Sequence, residues 1–589
     1  MAIYMRLPSF LQILSLTLPF YLVITACGKS AGVNGADPAP PQKDSTPVVT
    51  TPPVDPVTAG TIGFFMDGWT AKSFTVPSFV KDTSFTLKPD VTVNIQSQQI
   101  LTKISPYLFG NNTNLWMGQI VTEPVLMGYL RDLAIPVLRG PGGSISDIYF
   151  WNQKDAAPLD APAQLLNADG VPSASGYWYG GNTNSFTLTL DHYNQALSQI
   201  GSTGMLTVNY AYARYGTGPH PVQQAAHLAA DWVRYDKGKT KYWEVGNEDN
   251  GNWEAGYRID KSHNQDGQPE MITGELYGMH FKVFADSMRA AAREVGSKIY
   301  IGAQLLEAPA ASWATQTDKS WNQGVLQQAG ASADFFIVHD YFTPYNTNSS
   351  ADDILNTGKT VPAAVMDYLK TQFSAYGVPE KPVALTEWNI RATGAGQNVS
   401  FIAGLHAVIT IGQLITQHFG EASRWDLANG WDNGDDHGLF NNGDEPGGVA
   451  KWNPRPAFYY LYFLQKVLGD RLVDNTVTGS SDIVCYSSSF QGGGLGIALI
   501  NTGSVLHQVN ITTKDFVPGA NYYWYDLRGG TDNGDFSRRV FVNGKGPESV
   551  AGGPAGYASL PAYKASTTSG ITVELNPKVA CFIQIPVKK

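Results

Sequence analysis

Charge and cysteine are both scarce: 15% of the 589 residues are charged and three are cysteine. An ordinary soluble domain carries about 25% charged residues, and with 43% hydrophobic residues the chain is packable rather than disordered. Lysine and arginine number 40 against 50 acidic residues, a formal net charge of −10. That balance offers no basic field to a phosphate backbone, so nucleic acid is not an expected partner. There is no H-E-x-x-H, no G-x-S-x-G and no G-x-x-x-x-G-K-[ST], which removes zinc-protease, serine-hydrolase and phosphate-loop chemistry from the first rank. What is abundant is aromatic: 14 tryptophans and 29 tyrosines, whose flat amphipathic rings suit cores and sugar faces alike.

The N-terminus reads as an address. A short positive segment at 1–6 precedes an apolar stretch at 11–24, shorter than the roughly 20 residues of a membrane span and typical of a signal peptide. Thr25 and Ala26 directly before Cys27 resemble a bacterial lipoprotein box. That resemblance implies removal of 1–26, lipidation of Cys27 and a membrane partner through that anchor, at the bacterial cell envelope in the outer membrane or at the cell surface. An ordinary secretory signal is the alternative. Residues 27–60 contain seven prolines and read as a tether reaching on the order of 90 Å if extended at about 3.1 Å per residue. The remaining cysteines, Cys485 and Cys581, lie in apolar runs, and a disulfide and two free thiols are both open.

Between about 100 and 467, short apolar runs alternate with helical patterns. The runs fall at 107–109, 135–138, 205–208, 242–245, 299–301, 335–338, 383–385 and 425–427. Tyr277, Phe281, Phe284, Met288, Ala291 and Val295 form one helical face between the fourth and fifth runs, and helices also fit 221–236, 360–376, 401–418 and 455–467. Eight strands alternating with helices predict an α/β fold, a (β/α)8 TIM barrel whose site gathers at the C-terminal strand ends. After 468, alternation punctuated by turns predicts an accessory antiparallel β-sandwich over 468–589, joined by strands from 61–99, including 85–87 and 91–95.

Glu248 and Glu387 stand at the ends of the fourth and seventh runs. Cleaving a glycosidic bond with retention needs one carboxylic acid for the leaving oxygen and one carboxylate for the anomeric carbon. Asn247 is placed to bond a sugar 2-hydroxyl, and the charge of Glu387 is expected to keep Glu248 protonated. Trp253, Trp388 and Trp431 are candidate stacking walls. The oxygen-rich loop at 432–437, with Asp444 and Glu445, suits a substrate subsite better than calcium, since its spacing does not match an EF-hand.

The segment from Tyr242 to Glu248 and the segment Leu385-Thr386-Glu387-Trp388-Asn389 resemble the acid/base and nucleophile motifs of clan A retaining glycoside hydrolases. The turn from Leu138 to Ser144, the Ile-Ser-Pro-x-Leu-Phe-Gly stretch at 104–110 and Asn-Pro-Arg-Pro at 453–456 are similar to family 51 α-L-arabinofuranosidases and to families 79, 39 and 30. The resemblance implies that Glu248 is the acid/base and Glu387 the nucleophile. It further implies that Tyr341 bonds the nucleophile, that His339 orients the pair or the substrate, and that Arg139 steadies Glu387. The expected activity is retaining hydrolysis of a poly- or oligosaccharide without cofactor or metal, α-L-arabinofuranosidase-like first. An endo-β-glycanase and a non-catalytic surface glycan-binding lipoprotein are the alternatives. A pocket closed by 153–185 and 432–450 would mark exo action, and a groove lined by tryptophans endo action.

Overall fold

The computed structural model describes residues 53–81 and 88–589, so the signal segment 1–26, Cys27 and the strand-like piece at 85–87 lie outside the described residues. Eight parallel strands close into a barrel in chain order: Gly110–Asn112, Val137–Gly140, Thr203–Val208, Tyr242–Val245, Tyr300–Gln304, Phe335–Tyr341, Val383–Asn389 and Glu421–Arg424. Parallel neighbours need crossovers, and helices Pro124–Leu133, Leu190–Ile200, Pro221–Asp236, Gly274–Glu294, Gln316–Ala329, Ala351–Ala375, Phe401–Thr416 and Pro456–Val467 supply them. Five of these begin where a hydroxyl stops the chain from fraying: Thr189, Thr273, Thr315, Ser350 and Ser400 each accept a backbone N–H three residues on. Among the described residues no helix is long and apolar enough to cross a membrane.

Two barrel strands differ from the predicted runs. Residues Pro106–Phe109 form a 3-10 turn in which Ser105 accepts the Tyr107 N–H, and the first strand follows at Gly110–Asn112. The eighth strand is Glu421–Arg424 rather than 425–427. Both true strands are polar because the upper barrel interior is polar: Asn112 donates to the carbonyls of Thr386, Ser423 and Arg424. The helix expected from 360 begins at Ala351 and runs through Pro362, which is buried.

The floor of the barrel is plugged from the N-terminal side. Ile62 and Phe65 pack with Val137, Met205, Tyr242, Phe335 and Ile337, and the Val383 N–H donates to the Thr61 carbonyl at 2.8 Å. This corrects the expectation that all of 61–99 joins the second domain. Only Phe79–Lys81 and Val91–Lys103 enter its sheet, and the latter strand runs past residue 100. Val91–Lys103 lies antiparallel to Arg471–Thr478 and parallel to His507–Lys514, so the sheet is mixed at this point. The sheet curls over its own core, and the Tyr522 hydroxyl donates to the Thr572 carbonyl at 2.6 Å. In Val579–Ile585, alternate residues Cys581 and Ile583 face that core while Ala580 and Phe582 join the hydrophobic cluster of the barrel. Cys485 pairs with Leu499, and Leu499 with Cys581. Two strand spacings of about 4.8 Å separate the cysteines, too far for a disulfide, and both are free thiols.

Candidate active site

The site is organised around a buried cation. Arg139, at the end of the second strand, is 0% exposed and spends its guanidinium on four acceptors from three other strands and their ends. Its Nε donates to Glu244 at 2.7 Å, one terminal nitrogen donates to Asn112 at 2.9 Å and to Glu387 at 2.8 Å, and the other to Asn247 at 2.9 Å. Glu244 also accepts from Thr207 at 2.8 Å. Burial alone would favour the neutral guanidine, but the charges of Glu244 and Glu387 reverse that and raise its pKa further. The positive charge is therefore permanent and fixed beneath Glu387. The Tyr341 hydroxyl donates to the other Glu387 oxygen at 2.9 Å.

Glu248 belongs to a separate network. It adopts φ 48°, a left-handed conformation uncommon for a residue with a side chain, at the turn leaving the fourth strand. His339 Nδ1 lies 2.8 Å from one of its oxygens and the Trp253 Nε1–H donates to the other at 3.1 Å. His339 Nε2 is 3.0 Å from the Thr386 hydroxyl, beside Glu387 in sequence. Burial works to raise the Glu248 pKa, yet the bonds from His339 and Trp253 and the charges of His339 and Arg391 outweigh it and hold the carboxyl below the usual range. Conversely, burial works against protonation of His339, but Glu387 and Glu248 raise its pKa above the usual value. This corrects the expectation that Glu387 keeps Glu248 protonated: in the resting site the proton belongs to the Glu248–His339 pair, with His339 favoured.

Oxygen atoms of Glu248 and Glu387 and a ring nitrogen of His339 all lie within 4.8 Å of one another. Among the described residues this is the one group of three with the spacing of a metal site. The guanidinium of Arg139 on Glu387 opposes a second cation there.

A cavity of about 770 Å³ opens above the two glutamates, lined by Trp116, Ser144, Asn247, Trp253, Tyr341, Tyr345, Arg391, Trp425 and His437. Arg391 lies 4.1 Å from the Tyr341 ring centroid and 4.9 Å from that of Tyr345. The turn after Arg139 must be glycine where it passes under Trp425, because a Cβ on Gly143 would sit 2.7 Å from the indole and its φ is 61°. Trp253 is 65% exposed and forms a wall of the cavity. Two predicted walls are elsewhere. Trp388 is 1% exposed, its ring against Phe342, and belongs to the core. Trp431 is held between Arg455 and Arg538, outside the cavity lining.

The oxygen-rich loop is held by arginines: Arg455 binds Asp436 at 2.6 Å and Glu445 at 2.7 Å, and Arg538 binds Glu445 at 2.7 Å. Its contribution to the cavity is the neutral ring of His437, whose pKa burial pushes down to about 3. The segment 153–185 contributes nothing to the lining and instead borders a second cavity of about 340 Å³ beside Arg214 and Arg258.

No family model matches the chain, and no curated protein matches it in sequence. In structure it is similar to the family 51 α-L-arabinofuranosidase of Thermotoga petrophila, at 17% identity and TM-score 0.58 over 84% of this chain and 100% of that one. The family 51 α-L-arabinofuranosidase of Bifidobacterium longum is similar at 14% identity and TM-score 0.59, over 85% of this chain and 100% of that one. So is a family 44 xyloglucanase of Paenibacillus polymyxa, at 12% identity and TM-score 0.52, over 84% and 99%. The fold is the one these glycoside hydrolase structures share. In a barrel of this kind the C-terminal strand ends build the site, and Arg139, Asn247, Glu248, His339, Tyr341 and Glu387 all come from them. Trp116, Trp425, Tyr345 and Arg391 complete the lining and were absent from the predicted set. Trp425 was hidden by its assignment to the eighth strand, which it follows directly.

Proposed function

We propose that the protein is a retaining glycoside hydrolase in which Glu387 is the nucleophile and Glu248 the acid/base. The observation that carries this reading is that one oxygen of each glutamate lies within 4.8 Å of the other, which fits the separation of about 5–5.5 Å for retention better than the about 6.5–9.5 Å of an inverting site. A Glu387 oxygen bonds the anomeric carbon as the glycosidic C–O bond breaks, and the departing oxygen takes the proton held by Glu248 and His339. In the second step Glu248 removes a proton from water, the water oxygen bonds the anomeric carbon, and the ester to Glu387 breaks. Arg139 and Tyr341 keep Glu387 ionised and aimed, and Asn247 faces the sugar 2-hydroxyl.

An α-L-arabinofuranosidase is the first reading of the sugar, on the likeness of motifs and fold. The second reading, an endo-β-glycanase, is favoured by a cavity of about 770 Å³ with three tryptophans in its lining, because 153–185 does not close it. Both are tested by turnover of 4-nitrophenyl α-L-arabinofuranoside, arabinan, β-glucan, xylan and xyloglucan by the chain from residue 60 onward, with the anomer first released read by ¹H NMR. Release from the arabinofuranoside alone supports the first reading, and oligosaccharides from a polymer the second. Silence throughout returns the protein to the glycan-binding class, and an inverted first anomer overturns the roles given to the glutamates.

The Glu248–His339 pair sets the alkaline limb of the pH profile. Leaving-group protonation needs the proton on the pair, so kcat/KM is expected to fall only above the usual imidazole pKa of about 6.5. In His339→Gln the proton is held by Glu248 alone and the limb moves to lower pH. An unchanged limb in that variant would remove His339 from the proton path.

A further inference from the structure

A third cavity, of about 300 Å³, meets the catalytic one at Glu248. Trp253, Tyr341 and Arg391 line both, but Glu387 lines only the larger one, and the smaller takes its further polar lining from Asn250, Gln304, Glu307, His339 and Asp340. On the proposed roles this division has a direction. The nucleophile faces the anomeric carbon of the sugar that becomes bound, whereas the acid faces the oxygen that departs. A space that touches the acid and not the nucleophile is on the leaving-group side.

Its lining is unusual for a region facing a carboxylate. Glu307, in the loop after the fifth barrel strand, feels the charges of Asp340 and Glu248, and Asp340, in the sixth strand, lines the same cavity; neither is in an ion pair among the described residues. Like charges brought together in a half-buried site cost free energy. Burial and then the charge of Asp340 push Glu307 up to about 8, and burial pushes Asp340 to about 7. Both shifts favour the protonated carboxyl, which offers the cavity a hydroxyl donor as well as an acceptor oxygen. A sugar diol is both donor and acceptor and fits such a pair.

Resting on the reading of Glu248 as the acid, we propose that this cavity is the leaving-group subsite, and that Glu307 and Asp340 bind hydroxyls of the departing sugar and select a neutral sugar over a uronic acid.

The test compares leaving groups. For Glu307→Gln and Asp340→Asn, kcat/KM is measured on two matched pairs: 4-nitrophenyl α-L-arabinofuranoside with α-1,5-arabinobiose, and 4-nitrophenyl β-cellobioside with cellotriose. Each pair shares the transferred glycone and differs in what departs. The expected result is a fall of about 10- to 100-fold in the ratio of sugar to nitrophenyl substrate, the scale of a lost hydrogen bond to a charged group. A ratio unchanged while wild type is active overturns the subsite and leaves the proposed function standing. Wild-type silence on both pairs overturns the proposed function and the subsite with it. Selectivity is read by offering methyl β-glucoside and methyl β-glucuronide together as acceptors for the glycosyl-enzyme. Wild type is expected to transfer to the glucoside, and the double variant to lose that preference. Equal transfer by wild type overturns the selection against uronic acids.

Discussion

Glu387→Ala is expected to lower kcat/KM by at least about 10⁴-fold, the scale on which removal of a nucleophile acts when the rest of a site stays in place. The variant should still fold. Arg139 would keep Glu244 at 2.7 Å, Asn112 and Asn247 as partners, so no buried cation is left unpaired, which is the circumstance that destabilises most. The vacated volume lies on the face from which the anomeric carbon is attacked. Added azide should therefore enter it and displace an activated leaving group, giving a glycosyl azide of inverted configuration as the nitrophenolate departs. Circular dichroism and a melting curve check the fold, and ¹H NMR reads the anomer. Turnover near the wild-type rate in Glu387→Ala would transfer the nucleophile's role to another group.

The partnership of Glu387 with Arg139 shows why the site was partly legible in sequence. The fourth strand carries Tyr242, Trp243 and Val245 around Glu244, and the seventh begins with Val383, Ala384 and Leu385, so their ends, and with them Glu248 and Glu387, could be placed by pattern. The first and eighth strands carry no such signal. Gly110 is small because a Cβ there would lie 2.5 Å from both Ser423 and Val137. Glu421 and Arg424 are buried in the polar interior rather than in a hydrophobic layer. The apolar residues nearest to them in sequence are 107–109 and 425–427, which places Trp425 in an expected strand although it follows the eighth strand directly and lines the cavity. The same logic misplaced Trp388 and Trp431, since indoles at strand ends serve cores and arginine sandwiches as readily as sugars. Proximity in sequence to Glu387 does not make Trp388 a wall, because successive residues of a strand point to opposite faces.

What sequence could not supply was the relation between side chains from different strands. Glu248 is separated from His339 by 91 residues, and only folding brings the imidazole against the carboxylate and reverses the direction of its pKa. The barrel floor is another case. Ile62 and Phe65 precede every strand they pack against, and nothing local distinguishes a plug from an edge strand.

Glu248→Ala should separate the two chemical steps. Loss of a positioned general acid costs about 10²–10⁴-fold when the leaving group is a sugar alkoxide that must be protonated. A 2,4-dinitrophenolate leaves without a proton, so with that substrate the first step should stay fast while the second, which needs a base for water, slows. The glycosyl-enzyme then accumulates, and a burst of phenolate stoichiometric with enzyme should precede a slow steady state. Azide needs no deprotonation, so it should speed the second step and yield a glycosyl azide of retained configuration, opposite to the product from Glu387→Ala. His339 would remain in the variant, 3.8 Å from Glu387, but no carboxylate would stand between it and the departing oxygen. The two variants thus assign the two glutamates from opposite stereochemistry. An inverted azide from Glu248→Ala, or equal losses on sugar and dinitrophenyl substrates, would place the acid elsewhere in the cavity.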